Sequence, residues 1–180
     1  GSEEDGNQGV SAENVTFNDD GSILVQMKGA DRIGGVVKSV ERYGEGSFEI
    51  VASTTATSGV ATAFWLYYND GVHNYEIDIE MWGDNHIWLT SWVTESDYKT
   101  VQLNLDYTLS SDERHTYRID WYSGTKAEFY VDNVLLTTIT EYVPTEPMYL
   151  YMGGWCPDWA GDPVSSDSTI TIESFSYREW

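Results

Sequence analysis

Apolar and polar residues alternate with a period of two along most of this chain, in short runs rich in Val, Ile, Thr, Tyr and Trp. Gly, Asn and Asp fill the gaps between runs. A two-residue period puts successive side chains on opposite faces of a strand, and no comparable 3.6-residue period of an amphipathic helix stands out. The pattern predicts an all-β fold, a sandwich or a barrel. Predicted strands run over 14–17, 22–28, 34–40, 47–54, 60–68, 75–82, 86–94, 99–105, 115–121, 126–131, 134–139, 148–152 and 169–177, the last closing the sheet. Turn residues separate them: Asn18-Asp19-Asp20-Gly21, which makes the first pair a hairpin, then Tyr43-Gly44-Glu45-Gly46, Asn69-Asp70-Gly71, Gly83-Asp84-Asn85 and Asp132-Asn133. The run 60–68 is almost continuously apolar, as a central strand should be, and it turns directly into 75–82. Residues 1–13 are acidic, glycine-rich and aperiodic, and read as an arm that begins with a Gly1-Ser2 vector remnant. With no internal repeat and no composition break, one domain over 1–180 is expected.

One strand departs from the ordinary pattern. Tyr75-Glu76-Ile77-Asp78-Ile79-Glu80 puts three carboxylates on one face and two isoleucines on the other. Like charges at i, i+2 and i+4 repel, and acidic residues are poor strand formers. Three readings remain open from these residues alone: a solvated polar face, a calcium site, or paired-carboxylate catalysis. A flat strand gives a calcium ion poor wrap-around coordination. Strand rise separates the Cα atoms of Glu76 and Glu80 by about 13 Å. If the side chains lean together, the carboxyl gap falls near about 5–6 Å, the spacing of a retaining glycosidase. Asp78 between them would hold a proton or a hydrogen bond and push the two glutamate pKa values apart.

Composition narrows the partners. Nine Lys+Arg against 30 Asp+Glu give a formal charge of −21, which repels nucleic acid, anionic membranes and acidic polysaccharides. Eight Trp and 13 Tyr exceed what a core of this size needs, and aromatic rings suit the apolar faces of neutral sugars. One cysteine, Cys156, excludes an internal disulfide, and an inert thiol is expected. No apolar run approaches the ~18 residues of a membrane span. His73, His86 and His115 show no metal-ligand spacing.

The chain resembles glycoside hydrolase family 16, the clan of retaining endo-β-glucanases and their relatives. The signature is Glu76-Ile77-Asp78-Ile79-Glu80, supported by Lys38-Ser39, Tyr43-Gly44-Glu45-Gly46, the stretch from Gly59 to Tyr67, His115 to Trp121, Tyr130-Val131-Asp132-Asn133, Met152 and Trp155. The resemblance implies a jelly-roll β-sandwich, concanavalin A-like, with a concave substrate cleft. It implies Glu76 as nucleophile, Glu80 as acid/base and Asp78 as assisting carboxylate. The unbulged acidic strand is similar to that of the bacterial lichenases, and so is the start at Asn14-Val15-Thr16-Phe17. Substrate contacts are implied at Asn7, Lys38 (where lichenases have Arg), Trp65, Tyr67, Trp155 and Trp159. Trp88 and Thr90 stand where lichenases have amides, Trp92 replaces a Tyr, Asn74 a Trp and Gly153 an Asn, so the binding surface is rebuilt. Trp82 shares the cleft face if the acidic strand continues that far.

A retaining endo-β-glucanase is therefore expected, on mixed-linkage β-1,3-1,4-glucan or on β-1,3-glucan. The alternatives are a hydrolase or transglycosylase on another neutral polysaccharide, such as a galactan or xyloglucan, and a non-catalytic carbohydrate-binding sandwich. No cofactor is expected for catalysis. Some members of the family hold a structural calcium on the convex side, with Glu173 the nearest equivalent of the ligand here. A secreted monomer is expected, without its signal peptide, with polysaccharide as partner and neither nucleic acid nor membrane.

Overall fold

The computed structural model describes residues 9–110, 112–163 and 166–180. Thirteen strands among them pair antiparallel into two sheets. They are β1 (Val15–Phe17), β2 (Ile23–Met27), β3 (Gly35–Tyr43), β4 (Gly46–Thr55), β5 (Ala61–Asn69), β6 (Asn74–Met81), β7 (His86–Trp92), β8 (Tyr98–Asn104), β9 (Arg114–Tyr122), β10 (Lys126–Val131), β11 (Val134–Ile139), β12 (Met148–Trp155) and β13 (Ser168–Glu179). One sheet has the order β1-β2-β13-β4-β9-β10-β11 and the other β3-β12-β5-β6-β7-β8. This is a sandwich, one of the two all-β folds that the alternation leaves open and the one that the resemblance implies, with strand boundaries shifted by a few residues.

The core lies between the sheets. Phe64, Leu66, Ile77, Ile79, Ile87 and Leu89 come from the six-stranded sheet. Phe48, Ile50, Tyr117, Ile119, Phe129 and Ile170 face them from the seven-stranded one. Ile77 and Ile79 are fully buried, so the register of β6 is locked: a slip of one residue would drive three carboxylates into the core. The predicted β5–β6 hairpin is present, with Leu66 opposite Ile77 and Phe64 opposite Ile79. The Asp132-Asn133 turn joins β10 to β11, with both residues at positive φ, as a tight two-residue hairpin turn requires.

Two expectations are corrected. β6 stops at Met81, and a 3-10 turn over Gly83–Asn85 follows, so Trp82 leaves the strand. β13 does not close a sheet edge: it pairs with β2 on one side and β4 on the other, inside the seven-stranded sheet. Cys156 is free and buried.

Candidate active site

Strand register assembles the site. β6 lies between β5 and β7, and cross-strand neighbours on one face form rows. Glu76 stands between Tyr67 and Trp92, Asp78 between Trp65 and Thr90, and Glu80 between Ala63 and Trp88. The rows continue into β8 as Tyr98, Thr100 and Gln102. They continue into β12 as Tyr149, Tyr151 and Gly153. The three carboxylates thus share one aromatic-walled cavity of about 750 Å³.

Asp78 is almost wholly buried and Glu76 and Glu80 are partly so. Burial raises all three carboxyl pKa values. Trp92 Nε1 donates to Asp78 Oδ2 at 2.9 Å. The other oxygen, Oδ1, is buried with no donor facing it, and Asp78 shares a hydrogen bond with Glu76. Two carboxylates can share a hydrogen bond only if one holds the proton. Desolvation, then the charges of Glu76 and Glu80, push Asp78 well above the carboxylate range, so the proton belongs on Asp78 and the charge on Glu76. Asn74 Nδ2 adds a second donor to Glu76, at Oε2 and 3.2 Å. Among the described residues Glu80 has no donor to offset its burial, and desolvation with the Glu76 charge pushes it up to about 8. The strand therefore places one ionised carboxylate, one protonated spacer and one neutral acid on a single face.

Trp65, Tyr67, Trp88, Thr90, Trp92, Trp155 and Trp159 line the same cavity. Trp65 stacks on Tyr151 with centroids 5.2 Å apart, and Trp92 on Tyr98 at 4.2 Å. Lys38 does not line the cavity: its Nζ lies 4.0 Å from the Tyr149 ring centroid and is engaged at the sheet's outer strand. Trp82 is not among the lining residues either and borders a neighbouring cavity. Asn7 lies outside the described residues. Sequence reading did not pick out Tyr98, Thr100, Gln102 and Tyr151 as lining residues, nor Asn74 as a partner of Glu76. The alternation of 99–105 was available as a signal, but only pairing with β7 brings that face over the cleft.

Gly153 explains its own departure from the lichenase pattern. Its φ is 129°, and a Cβ there would collide with the Gly35 carbonyl oxygen. No side chain can reach the cleft from that position. Glu173, the candidate calcium ligand, pairs instead with Arg114, Oε1 to Nε at 3.2 Å. Among the described residues no three His, Cys, Asp or Glu side chains converge on a metal position.

A sequence model of the family described as glycosyl hydrolases family 16 matches residues 3–174. The chain is 29% identical over 154 residues to a Beta-glucanase of Paenibacillus polymyxa, covering 80% of this chain and 63% of that one. It is 31% identical over 138 residues to a Beta-glucanase of Bacillus subtilis, covering 69% of this chain and 54% of that one. The chain thus spans little more than half to under two thirds of the length of these curated relatives. The solved structure of Bacillus licheniformis beta-glucanase superposes with a TM-score of 0.82 at 23% identity, over 95% of this chain and 85% of that one. At that identity the superposition speaks for the fold.

Proposed function

The chain belongs to glycosyl hydrolases family 16, and from that premise we propose that it is a retaining endo-β-glucanase on a neutral β-glucan. Mixed-linkage β-1,3-1,4-glucan is the first substrate and β-1,3-glucan the second. The observation that carries this reading is the unequal surroundings of two glutamates on one face of a strand in one cavity: Asp78 and Asn74 bond to Glu76 and offset part of the burial that raises it, while burial pushes Glu80 up to about 8. Glu76 attacks the anomeric carbon while Glu80 gives its proton to the leaving oxygen. The covalent glycosyl-enzyme then breaks when Glu80, now a carboxylate, takes a proton from the attacking water. Asp78 passes its hydrogen bond between the charged nucleophile and the acyl oxygen of the intermediate. Beyond the carboxyl triplet the cavity lining is uncharged, which suits a neutral chain. Five curated relatives bear the name Beta-glucanase, which supports the glucan over other polymers.

The test is reducing-sugar release from barley β-glucan, laminarin, xyloglucan and a neutral galactan, wild type beside Glu76→Ala. Release from barley glucan or laminarin, absent in the variant, is expected. Azide added to Glu76→Ala should occupy the vacated space and give the α-glycosyl azide with an activated β-glycoside. Glucan cleavage that survives Glu76→Ala would overturn the assignment. With Glu80 as the acid, kcat/KM should fall as pH rises through about 8.

A further inference from the structure

Two asparagines at the end of the β5–β6 hairpin lead from the turn to the carboxylate of Glu76. Asn69 closes β5, Asn74 opens β6, and they stand opposite each other as the last cross-strand pair before the turn. The Gly71 N–H donates to Asn69 Oδ1 at 2.7 Å. Asn69 Nδ2 donates to Asn74 Oδ1 at 3.5 Å, and Asn74 Nδ2 donates to Glu76 Oε2 at 3.2 Å. The Asn69 side chain also bonds to the Tyr67 hydroxyl. Neither asparagine is among the residues that line the cavity.

The order of these contacts is fixed. An amide side chain carries its acceptor at one end and its donors at the other. The Gly71 N–H calls for the oxygen of Asn69 on its side, which turns the Asn69 NH2 toward Asn74. The facing end of Asn74 must then be its oxygen, and its NH2 is left for Glu76. Turning the Asn74 amide over would set two NH2 groups face to face and an oxygen against the carboxylate. The backbone anchors both ends of the series. Asp70 holds the turn by accepting from the N–H groups of Val72 and His73 at 2.8 and 2.6 Å, and the Asn74 N–H donates to the Val93 carbonyl at 3.0 Å.

We propose that Asn69 is a positioning residue for the nucleophile: from outside the cleft it fixes which end of the Asn74 amide faces Glu76. The inference rests on the reading of Glu76 as the nucleophile of a glucanase. A donor on a carboxylate favours its charged form, the form that attacks. The other titratable groups around the same cavity are Asp78 and Glu80 on β6, Tyr67 on β5, Tyr98 on β8 and Tyr151 on β12. Glu95 acts on Tyr67 from the β7–β8 connection, and Asp70 and His73 pair within the turn. All of them stay in place in the variants below, so a difference between variants reports the amides.

The test is the acid limb of the pH profile of kcat/KM on the glucan that the protein cuts, with Glu76→Ala first to show that cleavage needs Glu76. Asn69→Asp keeps the acceptor for the Gly71 N–H but offers Asn74 only oxygen, so the Asn74 NH2 turns away from Glu76. On the acid limb kcat/KM should fall about three- to tenfold, the share of one hydrogen bond to a charged group, and recover as pH rises toward the plateau. Val72→Asp adds a charge to the same exposed turn without touching either amide, and it should move the limb less. Asn74→Ala removes the donor and should reproduce the Asn69→Asp limb. In that background Asn69→Asp should add no more than Val72→Asp does, because its effect passes through Asn74. An Asn69→Asp limb that coincides with that of Val72→Asp overturns the inference alone, as does a full further shift in the Asn74→Ala background. If no glucan is cut, or cleavage survives Glu76→Ala, the glucanase reading fails. The amide series is then read by carbon-13 NMR titration of the Glu76 carboxyl, its resonance identified by its loss in Glu76→Gln. A titration midpoint higher in Asn69→Asp than in Val72→Asp supports the series, and equal midpoints overturn it.

Discussion

The indole N–H of Trp92 decides which oxygen of Asp78 is free to carry the proton. It occupies Oδ2 and leaves Oδ1 without a donor, so Oδ1 is the oxygen left to carry the proton. Trp92→Phe keeps the ring against Tyr98 and removes the donor. Asp78 then loses the contact that lowers its pKa, and its carboxyl can rotate. The expected result is a drop in kcat of about tenfold with KM little changed, since the lost contact orients the nucleophile rather than the sugar. At this scale the sequence was unusually legible. Glu76, Asp78 and Glu80 announce themselves because no packing argument favours three acids on a strand face. Tyr98 and Tyr151 do not, because an aromatic on a strand looks the same whether it faces a cleft or a core. Lys38 misled for a related reason: its place in β3 is opposite Tyr151, but ring contacts hold its charge at the sheet's rim.

At the scale of elements, β12 shows how backbone contact shapes the cleft floor. Gly153 faces the Gly35 carbonyl and Gly154 faces the Ala61 carbonyl, so β12 is pressed between β3 and β5 without intervening side chains. Gly153→Ala must move that backbone and also place a Cβ at φ 129°. A loss of roughly 2–4 kcal/mol in unfolding free energy is expected, measured by urea titration, with glucan cleavage falling in parallel as Trp65 and Tyr151 separate. Strand alternation and turn residues made most elements and the tight hairpins readable, since both are local. Which strand lies beside which is not local. β13 follows a long connection and inserts between β2 and β4, a position that no residue in it advertises. Trp82 was placed by extending an alternation that the Gly83–Asn85 turn ends.

For the whole molecule, burial of the acidic strand links stability to pH. Glu80 moves from an ordinary 4.5 to about 8 on folding, and Asp78 moves up as well. Between those values the folded chain binds more protons than the unfolded one, so stability falls as pH rises through that window. The contribution is fully present below the unfolded pKa and gone above the folded one. Asp70 acts in the opposite sense, because amide donors from His73 and Val72 hold it at about 2, and its contribution is lost only in strong acid. Glu80→Gln carries no charge at any pH. Its melting temperature should decline less than the wild type's from about pH 5 to about pH 9, with a gain on the order of 3 kcal/mol at the alkaline end. High salt should raise both curves, since a formal charge of −21 repels itself.

The shared bond between Asp78 and Glu76 has a consequence for heat as well as for rate. With Asp78 holding the proton of that bond and Glu80 neutral beside it, the folded chain must hand both protons to the surrounding buffer when it melts at neutral pH. The calorimetric enthalpy of unfolding then contains the buffer's own heat of ionisation, twice over. Melts in phosphate and in Tris would differ although the protein does the same thing in each, and the slope of enthalpy against buffer ionisation heat would count the protons stored on one strand.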